Sequence, residues 1–252
     1  MDIDNCVALV TGANRGIGAA FVRAFLEAGA SRVYACCRDV TAPDLEIDAD
    51  DERVTLLPLD VTDAARIEEL ASTLTDVQVL VNNAGYFGGT TLLKAADMEN
   101  ARREMETNYF GPLMLSRAFA PQLGAGGGGA IVNVLSAAAI VSVPAMGGYS
   151  PSKFAARAMG VALRAELIDQ GTQVHNLIVG SVDTRMAAHV AGAKESPDTI
   201  AHAGLRAVRK NIPEMDTDDF AVGVRAALAR DPAVLEKQMA AMLKMETLRT
   251  GR

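Results

Sequence analysis

Several features that would assign a partner class at once are missing from this chain. It has no basic excess: 24 lysines and arginines face 31 acids, a net charge of -7 over 252 residues. Basic runs are absent too, so the electrostatic footprint of a nucleic-acid binder is lacking. No apolar stretch reaches the roughly 18 residues of a membrane span, and the opening MDIDNCVALVTGANRG is acidic where a signal peptide starts basic. A soluble, cytoplasmic protein with neither nucleic acid nor membrane as partner is expected. The three cysteines offer no disulfide or metal spacing: Cys36 and Cys37 are adjacent in an apolar stretch and Cys6 opens another. His175, His189 and His202 are not grouped as metal ligands either, which leaves structural or surface roles and no metal.

What the chain does have is apolar bulk in a regular rhythm. Half of it is hydrophobic, enough for the core of a single domain spanning 1–252. CVALVTG (6–12), RVYACC (32–37), RVTLLPL (53–59), VQVLVNN (77–83), AIVNVLS (130–136) and QVHNLIV (173–179) read as strands buried on both faces. Amphipathic helical stretches lie between them, at 19–29, 65–74, 101–123 and 154–170. This alternation predicts an α/β Rossmann architecture, a doubly wound parallel sheet of order 3-2-1-4-5-6 with ligands at the carboxyl ends of the strands. A seventh strand is short or absent, with AVLE (233–236) its best position. Residues 185–213, rich in Ala, Gly and charge, read as a substrate lid. The run GAGGGGA (124–130) precedes a strand and reads as a flexible connection, since phosphate loops precede helices.

Two short stretches carry chemistry. TGANRGIG (11–18) joins the first strand to the first helix; its glycines permit a tight turn and close approach of a phosphate, and the helix start supplies N–H donors. YSPSK (149–153) puts a tyrosine and a lysine one helical turn apart, on one face, where an ammonium can stabilise a phenolate.

With these, LDVTD (59–63), NNAG (82–85), Asn108 and Ser136 complete an ordered set. The chain resembles the short-chain dehydrogenase/reductase family in its form of roughly 250 residues. The resemblance implies a nicotinamide cofactor and hydride transfer between a carbonyl and an alcohol. By that resemblance Asn108, Ser136, Tyr149 and Lys153 are the catalytic set. Tyr149 donates the proton, Ser136 bonds the oxyanion, Lys153 lowers the phenol's pKa and holds the ribose, and Asn108 organises a water beneath the lysine. The same resemblance gives the cofactor Gly12, Asn14, Arg15, Gly16, Ile17 and Gly18 in the turn, Asp60 and Val61 at the adenine, and Asn82, Ala84 and Gly85 at the adenine ribose and as braces of the sheet. In VGSVDTRM (179–186), Val182 and Thr184 are expected to grip the carboxamide. Asp63 is a candidate helix cap beside Asp60.

The apolar run of the second strand puts Cys37 in the slot where an NAD site carries an acid, with Arg38 next and Arg15 facing the same ribose. That predicts NADP(H), with NAD(H) the rival if Asp39 takes the ribose instead. Tyr86, Phe87, Val143, Met146 and Met186 are expected to line an apolar pocket for a small carbonyl or alcohol. A carbonyl reductase or alcohol dehydrogenase follows. A 3-oxoacyl thioester reductase is the alternative, supported by Arg185, Lys194, Arg206, Arg209 and Lys210, and a nucleotide-sensing or scaffold protein is the non-enzymatic one. A homodimer or homotetramer is compatible with the family. Met239, Met242 and Met245 read as core or subunit contact.

Overall fold

The computed structural model describes residues 1–188 and 192–250, with side chains to residue 243. His189 and the side chain of Met245 lie outside them. Seven strands form one parallel sheet of order β3-β2-β1-β4-β5-β6-β7. In chain order the elements are β1 (Val7–Thr11), α1 (Gly16–Glu27), β2 (Arg32–Cys37), β3 (Val54–Pro58), α2 (Ala64–Thr73), β4 (Val79–Asn82), α3 (Glu99–Met105), α4 (Gly111–Ala125), β5 (Ala130–Val134), α5 (Tyr149–Glu166), β6 (Gln173–Ile178), α6 (Pro197–Lys210), β7 (Glu214–Asp216), α7 (Asp219–Arg230) and α8 (Pro232–Thr250).

Because strand side chains alternate between faces, one apolar run feeds two cores. Ala8 and Val10 of β1 join Phe21 and Phe25 of α1 and Ile200 and Leu205 of α6 on one face. Leu9 joins Ile67, Leu115, Phe119 and Leu163 of α2, α4 and α5 on the other. Burying one such side chain stabilises the fold by about 1.5–3 kcal/mol. A third cluster lies beyond the carboxyl ends of β5 and β6, where α7 packs on the short turn Ala137–Ala139 and α8 on the turn Pro144–Met146 that leads into α5; Met146, Tyr149, Met239 and Leu243 join it. Among the described residues no helix is long and apolar enough to cross a membrane.

Two expectations need correction. The seventh strand is Glu214–Asp216, and residues 233–236 begin α8 instead. Pro232 is pre-set for a first helical turn, and Asp231 accepts from the amides of Ala233 and Val234, both at 3.1 Å, which starts the helix there. The second half of the expected lid is α6, whose Ile200, Ala201, Ala203, Gly204, Leu205, Ala207 and Val208 are buried against the sheet and α1. A Cβ on Gly204 would lie 2.5 Å from the Phe21 ring, so small residues are what let α6 approach α1. Of the expected segment, 185–196 precedes α6.

Candidate active site

The turn after β1 is shaped by its glycines. Gly12 and Gly16 have φ of +62° and +56°, and a Cβ on Gly18 would sit 2.1 Å from the Gly12 carbonyl oxygen. Asn83, a residue the sequence reading passed over, ties this turn to β4 by donating to the carbonyls of Thr11 (2.8 Å) and Gly12 (3.1 Å). Thr184 reaches the turn from the far side, its Cγ2 3.1 Å from where a Gly16 Cβ would be. Val182 is buried in the first core.

The amide of Gly16, at the start of α1, already donates to an anionic oxygen: Glu46 Oε2 accepts from it at 2.7 Å. The backbone of the same loop is fixed to the turn by Glu46 N donating to Asn14 O at 2.8 Å. Arg15 pairs with Asp44 at 2.5 Å, and Arg185 approaches the same oxygen at 3.4 Å. Ile47, buried in the first core, anchors this acidic strap. The turn therefore accepts a carboxylate where a phosphate cradle is expected, and its glycines leave the space a cofactor backbone contact needs.

Asp60 and Val61 follow β3. Burial works against ionisation of Asp60, yet the amide and hydroxyl of Thr62, with Arg38 and Arg103 nearby, hold its carboxyl below the usual range. Asp63 caps α2 by accepting from Arg66 N at 3.0 Å. Asn82 turns into the sheet: Nδ2 donates to Asn133 Oδ1 at 3.0 Å, so its side chain braces β4 against β5. Arg38 and Asp39 are both exposed, and the Asp39 carboxylate accepts from the amide and hydroxyl of Thr41 at 2.9 and 2.8 Å.

The four expected catalytic residues come together. Between α3 and α4 the helix widens into a π turn, Glu106–Phe110, a distortion common at functional sites. Asn108 sits in it, buried, accepting from Tyr86 N (2.8 Å) and donating to Tyr86 O and Ser152 Oγ (both 2.9 Å). α5 begins at Tyr149, so Lys153 follows one turn later, and its Nζ donates to Val134 O at 3.0 Å. The Ser136 hydroxyl hydrogen-bonds the Tyr149 phenol and also caps the short turn Ala137–Ala139 through Ala138 N. A cavity of about 10 Å³, near the least that holds one water, is bounded by Asn82, Asn108, Asn133 and Lys153, and the buried Oδ1 of Asn82 has no hydrogen-bond partner among the described residues.

The electrostatics differ from the sequence expectation. Burial pushes the Tyr149 phenol up to about 12, opposed by the Ser136 hydrogen bond and reinforced by the Glu104 charge. Burial likewise lowers the Lys153 ammonium to about 8. Lys153 Nζ lies 5.7 Å from the centre of the tyrosine ring and is bonded to a carbonyl, so burial outweighs the lowering expected from it. At neutral pH the phenol is therefore protonated. Phe87 meets it edge-on at 5.3 Å, while Met186 is exposed. A wider hollow of about 510 Å³ runs along α6 past Asp198, His202 and Arg206, but none of the gathered residues lines it, so the chemistry and not the volume locates the site. Among the described residues no group of three His, Cys, Asp or Glu could hold a metal.

A family model described as short chain dehydrogenase matches residues 6–195. The chain belongs to the short-chain dehydrogenase family. It is an oxidoreductase acting on hydroxyl or carbonyl groups, in a family that uses a nicotinamide cofactor. A 1-deoxy-11-beta-hydroxypentalenate dehydrogenase from Streptomyces exfoliatus is 36% identical over 81% of this chain and 79% of its own length. An uncharacterised oxidoreductase from Methylorubrum extorquens is 31% identical over 92% and 93%. Among solved structures, a short chain dehydrogenase from Burkholderia cenocepacia in complex with NADP is 39% identical, with a TM-score of 0.89 over 95% of this chain and 99% of that one.

Proposed function

We propose that this enzyme is an NADP(H)-dependent carbonyl reductase or alcohol dehydrogenase acting on a small apolar or aromatic substrate. The observation that carries the reading is a half-buried, protonated Tyr149 bonded to Ser136, one turn before Lys153, beside a Gly-rich helix start that accepts anionic oxygen. When bound, the nicotinamide supplies or takes up the hydride. In reduction Tyr149 donates its proton to the carbonyl oxygen and Ser136 hydrogen-bonds the same oxygen as charge develops on it. Lys153, with its amine lowered by burial, and Asn108, across the small cavity, are positioned to return a proton toward the phenol through one water.

The turn residues Gly12, Asn14, Arg15, Gly16, Ile17 and Gly18 are the ones that would hold the pyrophosphate, with Arg15 and Arg38 at the 2′-phosphate. Asp39, the residue an NAD site would need, is engaged with Thr41, which supports NADP. The bound NADP of the Burkholderia cenocepacia relative supports it further. An apolar substrate is favoured by Phe87, Val143 and Met146 around Tyr149. The basic rim that an acyl-carrier substrate would want is dispersed: Arg206, Arg209 and Lys210 lie on α6 and Arg185 faces Asp44.

The test is to follow NADPH absorbance across ketones, aldehydes, quinones and acyl thioesters, and to repeat the productive ones with NADH. Turnover on an apolar ketone or aldehyde with higher kcat/KM for NADPH is expected. Turnover confined to acyl thioesters, a preference for NADH, or NADPH binding without turnover on any of them would overturn the corresponding part.

A further inference from the structure

Glu104 has no part in the chemistry described so far. It is 1% exposed on α3, four residues before Asn108 and turned inward with it. Oε1 accepts from the Gly88 amide at 2.8 Å, while Oε2 is buried with no hydrogen-bond partner among the described residues. A Cβ on Gly148 would lie 2.5 Å from Oε2, so a glycine immediately before Tyr149 is what admits the carboxyl to the start of α5. Burying a carboxyl with one oxygen unbonded is costly, and a neutral side chain could accept from Gly88 equally well. The acid itself therefore calls for an explanation.

Two connections supply one. Gly88 lies in the loop after β4 that carries Phe87, whose ring packs on Tyr149, and Asn108 pins the same loop one residue earlier, at Tyr86. The carboxyl also faces the phenol electrostatically. The ionisable groups directed at Tyr149 are Glu104 from α3 and Lys153 from its own helix. The loop after β4 brings Tyr86, under the Arg103 guanidinium at 4.2 Å; β5 brings the Ser136 hydroxyl, and α8 only Met239 and Leu243.

We propose that Glu104 is a positioning residue of the reaction: from its buried seat against Gly88 and Gly148 it holds the Phe87 loop over Tyr149 and sets a negative charge beside the proton donor. This rests on Tyr149 as the proton donor. Burial raises the Glu104 carboxyl, with the Gly88 amide opposing, so the charge that acts on Tyr149 is complete only above the usual carboxylate range. Like charge then disfavours the phenolate.

The experiment is the pH dependence of kcat/KM for carbonyl reduction in the wild type, Glu104→Gln and Glu104→Ala. Gln keeps an acceptor for Gly88 and deletes the charge, so its alkaline limb should move to lower pH by roughly one unit. Ala should show the same shift with a further loss of rate from the freed loop. A Gln profile lowered in height but with its limb in place would overturn the proposal and leave Glu104 as packing only. If Gln fails to fold, ultraviolet difference titration decides, run on the wild type and on Glu104→Ala, each against its Tyr149→Phe counterpart. Ionisation of Tyr149 at lower pH in Glu104→Ala than in the wild type supports the proposal, and ionisation at the same pH in both overturns it. Near-normal turnover in Tyr149→Phe would instead remove the reading of Tyr149 on which all this rests.

Discussion

At the turn after β1, charges stand half in water and in pairs: Arg15 with Asp44, their side chains 35% and 47% exposed, and Glu46 on the Gly16 amide. Around Tyr149 the charges are few and buried: Lys153 is bonded to a carbonyl and Glu104 keeps one oxygen without a partner among the described residues. Solvent screening makes the first kind of contact worth about 0–1 kcal/mol, easily exchanged for another anion. The second kind cannot be exchanged, and each group alters the protonation of its neighbours. Binding selectivity is thus assembled from many replaceable contacts and chemistry from a few irreplaceable ones. Substitutions in the two regions should differ in size and in kind.

The largest effect is expected at the proton donor. Tyr149→Phe removes the hydroxyl and keeps the ring against Phe87, so kcat should fall by about 10²–10⁴-fold with NADPH affinity nearly unchanged. Single-turnover rates and fluorescence titration of NADPH check the two halves. A large loss of affinity would mean that the two regions are not separable.

Lys153→Met should lose turnover and gain stability. The ammonium is held near 8, below the ordinary lysine value of 10.5, so folding carries a penalty that is complete at and below pH 8 and fades as pH rises to 10.5. At 1.36 kcal/mol per unit the penalty is about 3 kcal/mol, less about 1.5–3 for the charged hydrogen bond to Val134 O that Met cannot make. Urea unfolding should therefore show the variant at most about 2 kcal/mol more stable at pH 7, with the gain gone before pH 10.5, where the penalty has faded and the lost hydrogen bond remains. A variant less stable at neutral pH would show that the charge is compensated in the folded protein.

Legibility in the sequence divides along related lines. The six long strands, the Gly-rich turn and the Asp63 cap follow from local rules: apolar runs, glycine at positive φ, a carboxylate before a helix. β7 was hidden because it is three residues, Glu-Met-Asp, and its acids are tolerable only because Arg157 and Arg225 come to Glu214 and Arg225 to Asp216. α6 was hidden because close approach to α1 requires Ala and Gly on its buried face, which read as loop composition. Asn83 and Glu104 carry no local signal, since their partners lie 71 and 16 residues away. The catalytic set was read from a family pattern, and its dry electrostatics were not legible because burial is a property of the whole fold.

Returning to the exposed region, Arg38→Ala should weaken NADPH binding by at most about 1.5–3 kcal/mol, the scale of a lost charged hydrogen bond, and leave NADH nearly unaffected. Equal weakening of both cofactors would place Arg38 away from the 2′-phosphate.

The smallest effect, and the sharpest test of exchangeability, is at Asp44. Its carboxylate holds Arg15 and approaches Arg185, so a 2′-phosphate seeking Arg15 must displace it. Asp44→Asn removes the competing charge and keeps the shape of the strap, which Ile47 and the Glu46–Asn14 backbone bond continue to fix. An exposed pair is worth about 1 kcal/mol or less, so the NADPH Kd should fall by no more than about fivefold. NADH, without the extra phosphate, should gain less. The gain should shrink as salt rises from about 0.01 to 0.15 M, where the screening length falls from about 30 to 8 Å. Calorimetric titration of both cofactors at the two salt levels gives the comparison. A tighter Kd confined to NADPH and sensitive to salt means that the strap acts as a replaceable anion. A weaker NADPH Kd in the variant would mean that Asp44 orients Arg15 toward the phosphate, a fixed part of the site of the same kind as the buried groups around Tyr149.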